Sequence, residues 1–343
     1  MSKNIVIFSD GTGQEGGSGV NTNVYKLFNM VLDRSPQQTA FYDKGLGTGS
    51  RRLLAQATGY GISRNIIDCY RFLFENYQAG DQIFLFGFSR GATTVRSLSG
   101  MIHLFGMLPQ SRPELIDTAY DIYKIEDRDR RVAAAEKFIA RNHTMWVRIK
   151  FLGVWDTVAA LGVPIGPLNA VVNAMPWFRH KFHDLKLSRS VENAYQALAI
   201  DEERETFHPV LWDPQIEPYQ TMRQVWFCGA HTDVGGGYAE PGLSDIALQW
   251  MVDNAVRHGL LLYPNHRVTL DPRPDGMLHD SMASGVARFF RRKVRSWPVQ
   301  THGNPIVHPS VLARTMGRDN KPAPSRYAPW LLSGGYTYDR DGD

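Results

Sequence analysis

The chain has 343 residues, 43% of them hydrophobic and 21% charged, which is the make-up of a folded domain with a large core rather than of a disordered or fibrous chain. A formal charge of +4 and an isoelectric point near 9.0 are mildly basic, too little to imply a nucleic-acid partner. Two cysteines, Cys69 and Cys228, stand far apart without CxxC spacing, which excludes a disulfide scaffold and a zinc–cysteine site and fits a reducing compartment.

The first ten residues run straight into a strand-like segment, with too short an apolar run for a signal peptide. No stretch approaches the ~20 apolar residues of a membrane span. A cytoplasmic location is expected, with signal-less export compatible.

In chain order, Asn4 to Phe8 is an apolar run ending at Ser9-Asp10-Gly11-Thr12-Gly13, and Asn23 to Leu32 carries helical periodicity. Thr39 to Tyr42 is strand-like and ends at Asp43, before a glycine-rich turn. Asn65 to Tyr77 reads as a helix closed by Ala79-Gly80. Gln82 to Phe86 is a buried strand, and Ala92 to Ile102 a helix. Further strands are expected at Val147 to Val154, ending at Trp155-Asp156, and at Gln224 to Gly229, ending at Ala230-His231. This alternation predicts an α/β fold of α/β-hydrolase type, a single domain over 1–343 with a mostly parallel sheet and helices on both faces. The proline-rich stretch 162–220 breaks the alternation and is read as a cap or lid insertion. Residues 264–343, rich in proline and arginine, are read as an irregular C-terminal wrap.

Gly87-Phe88-Ser89-Arg90-Gly91 is the one G-x-S-x-G in the chain. An apolar strand precedes it and a helix start of small residues follows, which is the context of a nucleophile elbow. The alternative is a serine that merely caps the helix. A serine hydroxyl needs a base, and the base an orienting carboxylate. Ligands gather where parallel strands end, and strand ends select Asp10, Asp43, Ser89, Asp156 and His231. The order Ser89, Asp156, His231 is that of α/β-hydrolases. Asp233 is a second acid candidate, and His308 and His279 are second-choice bases; a triad of Ser89, Asp233 and His308 has the same order. The oxyanion donors are expected from the amide of Arg90 and from Gly11 and Thr12 in the loop after the first strand. Asp10 also admits a metal or phosphate reading, although no companion motif accompanies it.

Ser-Asp-Gly-Thr (9–12), Gly-Phe-Ser-Arg-Gly-Ala (87–92), Gly-Val-Trp-Asp-Thr-Val (153–158), Ala199 to Trp212 and His-Thr-Asp-Val-Gly-Gly-Gly-Tyr (231–238) together resemble the catalytic domain of type VI secretion phospholipase effectors. The resemblance implies an α/β-hydrolase fold, phospholipase or related carboxylester activity, and a triad on Ser89, Asp156 and His231. The family's secreted members carry sizeable membrane-anchoring modules, for which this chain leaves room only for a small cap and tail. A housekeeping or detoxifying esterase is therefore as much an expectation as a secreted effector.

Two segments bear on the substrate. The apolar run Leu168 to Phe178 in the cap suits an acyl chain, or plain packing. Ala283 to Val299 mixes Phe289, Phe290 and Trp297 with five basic residues, and reads either as a peripheral membrane contact or as a solvated helix whose aromatics pack on the core. The resulting expectation is a serine carboxylester hydrolase acting on a lipid ester without a cofactor or metal. The alternatives are an inactive lipid- or partner-binding module and a metal-assisted phosphoesterase built on Asp10, Asp156 and Asp233.

Overall fold

Ile5 and Ile7 on the first strand face one apolar cluster while Val6 and Phe8 face another, and Ile83 and Leu85 against Phe84 and Phe86 repeat the division. Side chains alternate across a strand, so continuous apolar runs of this kind belong to a sheet buried on both faces. The computed structural model describes residues 2–11, 17, 19–45, 60–158, 186–283, 290–316 and 327–339. Among them lie β1 (Asn4–Ser9), α1 (Asn23–Met30), β2 (Gln38–Asp43), α2 (Tyr60–Asn76), β3 (Gln82–Phe88), α3 (Arg90–Phe105), α4 (Leu115–Tyr123), α5 (Arg128–Asn142), β4 (Ile149–Trp155) and β5 (Val191–Ala199). There follow β6 (Thr221–Phe227), α6 (His231–Gly235), α7 (Gly242–Arg257), α8 (Val299–His302), β7 (Ile306–Val307), α9 (Pro309–Met316) and β8 (Thr337–Tyr338).

The strands form one eight-stranded sheet in the order β2-β1-β3-β4-β5-β6-β7-β8, with every pairing parallel. The chain leaves β1 for β2 on one side and returns to β3 on the other. α1 packs on the face of Val6 and Phe8, whereas α2 and α3 pack on the face of Ile5 and Ile7. The connections after β1 and β3 therefore diverge to opposite faces, and a crevice opens between the ends of these two strands. Among the described residues no helix is long and apolar enough to cross a membrane.

The stretch 162–220 does not act as one cap. Its residues 191–199 form β5, a nearly wholly buried strand between β4 and β6. The polar residues that disguised it are answered by distant partners. The Gln196 side chain receives Thr157 Oγ1 at 2.6 Å and donates to Gln224 Oε1 at 3.1 Å, and Glu192 is bridged by Lys150 at 3.0 Å. The first half of the stretch, with the run Leu168 to Phe178, lies largely outside the described residues. The wrap 264–343 is irregular for much of its described length but also adds β7 and β8 to the sheet edge. Within the basic–aromatic segment, residues 290–298 are extended rather than helical. Phe290 packs edge-on to Phe207 and Trp297 edge-on to Trp226, while Arg292 pairs with Glu203. The described half of that segment thus packs on the body of the protein; Phe289 lies outside the described residues.

Both glycines of Gly87-Phe-Ser-Arg-Gly91 are required by backbone crowding. A Cβ on Gly87 would stand 2.5 Å from the carbonyl oxygen of Gly91, and one on Gly91 would fall on the carbonyl oxygen of Ser9 in β1. Gly91→Ala is expected to lower stability by about 3 kcal/mol through overpacking, whereas Gly334→Ala, with nothing within 4 Å of its added Cβ, leaves it near wild type. Thermal melting of the two variants checks this, and coincident melts for Gly91→Ala and wild type would refute the crowding.

Candidate active site

The register Ser9↔Gly87 and Phe88↔Trp155 sets the ends of β1, β3 and β4 side by side. Ser89 follows β3 with φ 58° and ψ −119°, a conformation that strains a residue with a side chain by about 1–3 kcal/mol. It occupies the N-cap position of α3, yet its hydroxyl makes no cap hydrogen bond. Its amide donates to the Trp155 carbonyl at 3.1 Å, tying the turn to β4. A residue held in strain whose hydroxyl does not serve the helix is not explained as a helix cap.

Asp156 follows β4, also at positive φ (41°), and is wholly buried. Its Oδ2 receives His231 Nδ1 at 2.6 Å and Arg295 Nη2 at 2.8 Å. Its Oδ1 receives Arg295 Nη1 at 2.6 Å and the Ala199 amide at 3.0 Å. Burial alone would raise the Asp156 pKa, but the charge of Arg295 and the hydrogen bonds from His231 and Arg295 outweigh it and hold the carboxyl well below the usual range. With an anionic partner on Nδ1, the imidazole carries its proton there and Nε2 is its basic nitrogen.

His231 opens α6 just past β6. Its ring lies 4.6 Å from that of Phe88, the neighbour of Ser89, and 5.1 Å edge-on from that of Phe207. The backbone behind it is held by Glu202, buried at the end of β5, whose Oε2 accepts the His231 amide at 3.2 Å. Burial would raise the Glu202 pKa as well, and Arg204, bonded at 2.7 and 2.8 Å, lowers it instead.

On the other side of β3, a Cβ on Gly11 would lie 3.6 Å from the Ser89 Cβ, so the loop after β1 adjoins the elbow. The Gly11 amide donates to Asp10 Oδ1 at 2.7 Å, and Thr12 lies outside the described residues. Asp10 Oδ2 accepts Thr22 Oγ1 at 2.6 Å and Tyr42 Oη at 2.5 Å, which makes this buried aspartate the anchor of the loop. Burial pushes its pKa up, and that of neighbouring Asp43 up to about 7, despite the hydrogen bond that Ser9 Oγ donates to Asp43.

Of the second-choice residues, Asp233 pairs with His279, and His308 joins neither. Asp233 takes His279 Nδ1 at 2.6 Å on one oxygen, and the amides of Ala230 and His279 on the other. His308, past β7, bonds Ser310 Oγ at 2.9 Å and stacks on Phe227; burial lowers its pKa to about 4. Asp10, Asp156 and Asp233 each answer to separate donors. Among the described residues no group of three or more His, Cys, Asp or Glu is arranged to hold a metal.

Glu202, Phe207 and Arg295 escaped the sequence reading. Arg295 stands in a basic run that looks like a solvated surface, and nothing local marks it as a side chain that turns inward.

Comparison with known proteins adds three relatives. The chain is 27% identical over 259 residues to an uncharacterized protein of Saccharomyces cerevisiae, a match covering 67% of this chain and 36% of that protein. A crystal structure of an uncharacterized protein from Pseudomonas aeruginosa matches with a TM-score of 0.49 and 17% identity, over 78% of this chain and 48% of that one. The Tle1 effector bound to the VgrG spike of the type 6 secretion system matches with a TM-score of 0.39 and 20% identity, over 70% and 52%. This chain thus spans about a third to a half of the length of these proteins. The family model of the T6SS phospholipase effector Tle1-like catalytic domain matches residues 3–254, most of the chain, and the protein belongs to that family.

Proposed function

We propose that the chain is a serine carboxylester hydrolase of phospholipase type, with Ser89 as nucleophile, His231 as general base and Asp156 as the acid that orients it. The observation that carries this reading is the buried 2.6 Å bond between Asp156 and His231, at the sheet edge where Ser89 is held in a strained turn. Membership of a phospholipase catalytic-domain family supplies the substrate class.

In this reading Ser89 Oγ attacks the ester carbonyl while His231 Nε2 takes its proton. The developing oxyanion meets the amide of Arg90 at the start of α3; the Gly11 amide, committed to Asp10, does not serve as the second donor in this arrangement. As the tetrahedral intermediate collapses, the alcohol portion leaves with the proton from His231, and the acyl group stays on Ser89. Water then attacks the acyl ester, deprotonated by the same nitrogen, and releases the carboxylic acid and the free serine. Asp156 remains ionised throughout, and Arg295 keeps it so.

Ser89→Ala is expected to abolish hydrolysis of p-nitrophenyl butyrate and of a phosphatidylcholine, and to remove labelling by a fluorophosphonate, with an unchanged melting curve. Undiminished turnover would sink the assignment. Asp156→Asn is expected to reduce kcat by a factor on the order of 10⁴, the loss seen when a triad acid is replaced in other serine hydrolases. It should also destabilise the fold by about 3 kcal/mol at neutral pH, because Arg295 loses its counter-charge. The folded pKa of Asp156 is depressed, so its contribution is complete above the ordinary value of 3.8 and fades as pH falls further. The stability gap between wild type and Asp156→Asn should therefore narrow in acid; urea unfolding at neutral pH and below that value tests it, and a gap that widens contradicts the pairing.

A further inference from the structure

The family-matched stretch ends at residue 254, and the guanidinium that grips the site's acid comes from beyond it. We propose that Arg295 is a positioning residue of the active site, delivered by a C-terminal strap that clamps Asp156 in the plane from which it holds His231. The proposal rests on the reading of Ser89, His231 and Asp156 given above.

The strap is fixed by backbone before its side chain reaches inward. The Glu205 amide donates to the Arg291 carbonyl at 2.9 Å and the Lys293 amide to the Glu203 carbonyl at 2.7 Å, so residues 291–293 run antiparallel to 203–205. Arg292 pairs with Glu203 at 3.0 Å on the outside. Three residues further on, Arg295 is wholly buried and makes four bonds, two to Asp156 and one each to the carbonyls of Ala199 and Phe207 at 2.6 Å. The Asp156 contacts are two-pronged, one nitrogen to each oxygen, which fixes the carboxylate's rotation as well as its charge. The carbonyl contacts tie that geometry to the end of β5 and to the turn that places Phe207 against His231. A lysine could supply the charge but not the fork.

The guanidinium also sets how strongly the acid holds a proton-bearing imidazole. Its positive charge offsets that of Asp156 and disfavours a second cation on the imidazole, so removing Arg295 makes the Asp156–His231 pair take up its proton at higher pH.

The test compares full-length wild type, Ser89→Ala, Arg295→Met and Arg295→Lys on p-nitrophenyl butyrate across neutral and mildly acidic pH, with thermal melting as the fold control. Arg295→Met is expected to lose about 100-fold in kcat, the scale of a displaced catalytic group, with KM little changed. The acid limb of its kcat/KM profile should move up by about one pH unit. Arg295→Lys should return the limb to the wild-type position while recovering only part of kcat. A folded Arg295→Met enzyme with wild-type kcat, or with reduced kcat on an unmoved limb, overturns the proposal. If Arg295→Met does not fold, Arg295→Lys decides: reduced kcat on a wild-type limb supports the clamp, and any other result overturns it. Turnover that survives in Ser89→Ala would overturn the underlying reading instead, whatever the Arg295 variants do.

Discussion

Removing a carboxylate from water carries an effective penalty of several kcal/mol, recovered only when opposite charge and hydrogen bonds replace the lost hydration, and Asp156 is wholly buried. Its two oxygens take two bonds from one guanidinium, one from the Ala199 amide and one from His231. The orientation of the imidazole follows from this arrangement, since the Arg295 fork and the Ala199 amide already fix the carboxylate to which Nδ1 must donate. The charge of the acid and the aim of the histidine are thus one problem with one solution, and the surrounding backbone is organised to supply it. Asp156 holds this position at a positive φ of 41°, a conformation uncommon for a residue with a side chain.

Parallel pairing determines where this happens. When every strand runs the same way, the residues following β1, β3, β4 and β6 emerge at one edge, and Asp10, Ser89, Asp156 and His231 are those residues. The reversal of direction between β1 and β3 adds the crevice, since α1 and α3 leave toward opposite faces. Gly91 then lets α3 start directly above the end of β1, which brings the Gly11 loop beside the elbow. Parallel pairing and the packing of helices on the sheet, rather than any interaction among the polar residues, bring these groups to one rim.

This explains which parts were legible in the sequence. Ser89 was, because a sharp strand-to-helix turn demands glycines at fixed offsets and leaves a local signature. Asp156 and His231 were, because each ends an apolar run. β5 was not: Glu192, Asn193 and Gln196 break its hydrophobic pattern, and the residues that satisfy them come from β4, β6 and the connections between strands. Arg295 was hidden for the opposite reason, as an inward-facing base that follows the outward-facing Arg291, Arg292 and Lys293. Which histidine each acid meets was not legible either, since only hydrogen-bond geometry pairs Asp156 with His231 and Asp233 with His279.

The parts of the rim differ in how far along the chain they are drawn from. The elbow is local where β3 turns into α3, although β1 beneath it comes from 78 residues away. The acid and the imidazole are 75 residues apart, and the acid and its guanidinium 139. Closing loops of such length costs chain entropy that these contacts have to offset. Until the strap docks along residues 203–205, Asp156 has either to stay hydrated, which keeps the edge of β4 and β5 open, or to be protonated, which removes its grip on His231. A chain with its sheet formed and its C-terminal segment undocked would therefore leave Asp156 without the guanidinium that fixes its carboxylate.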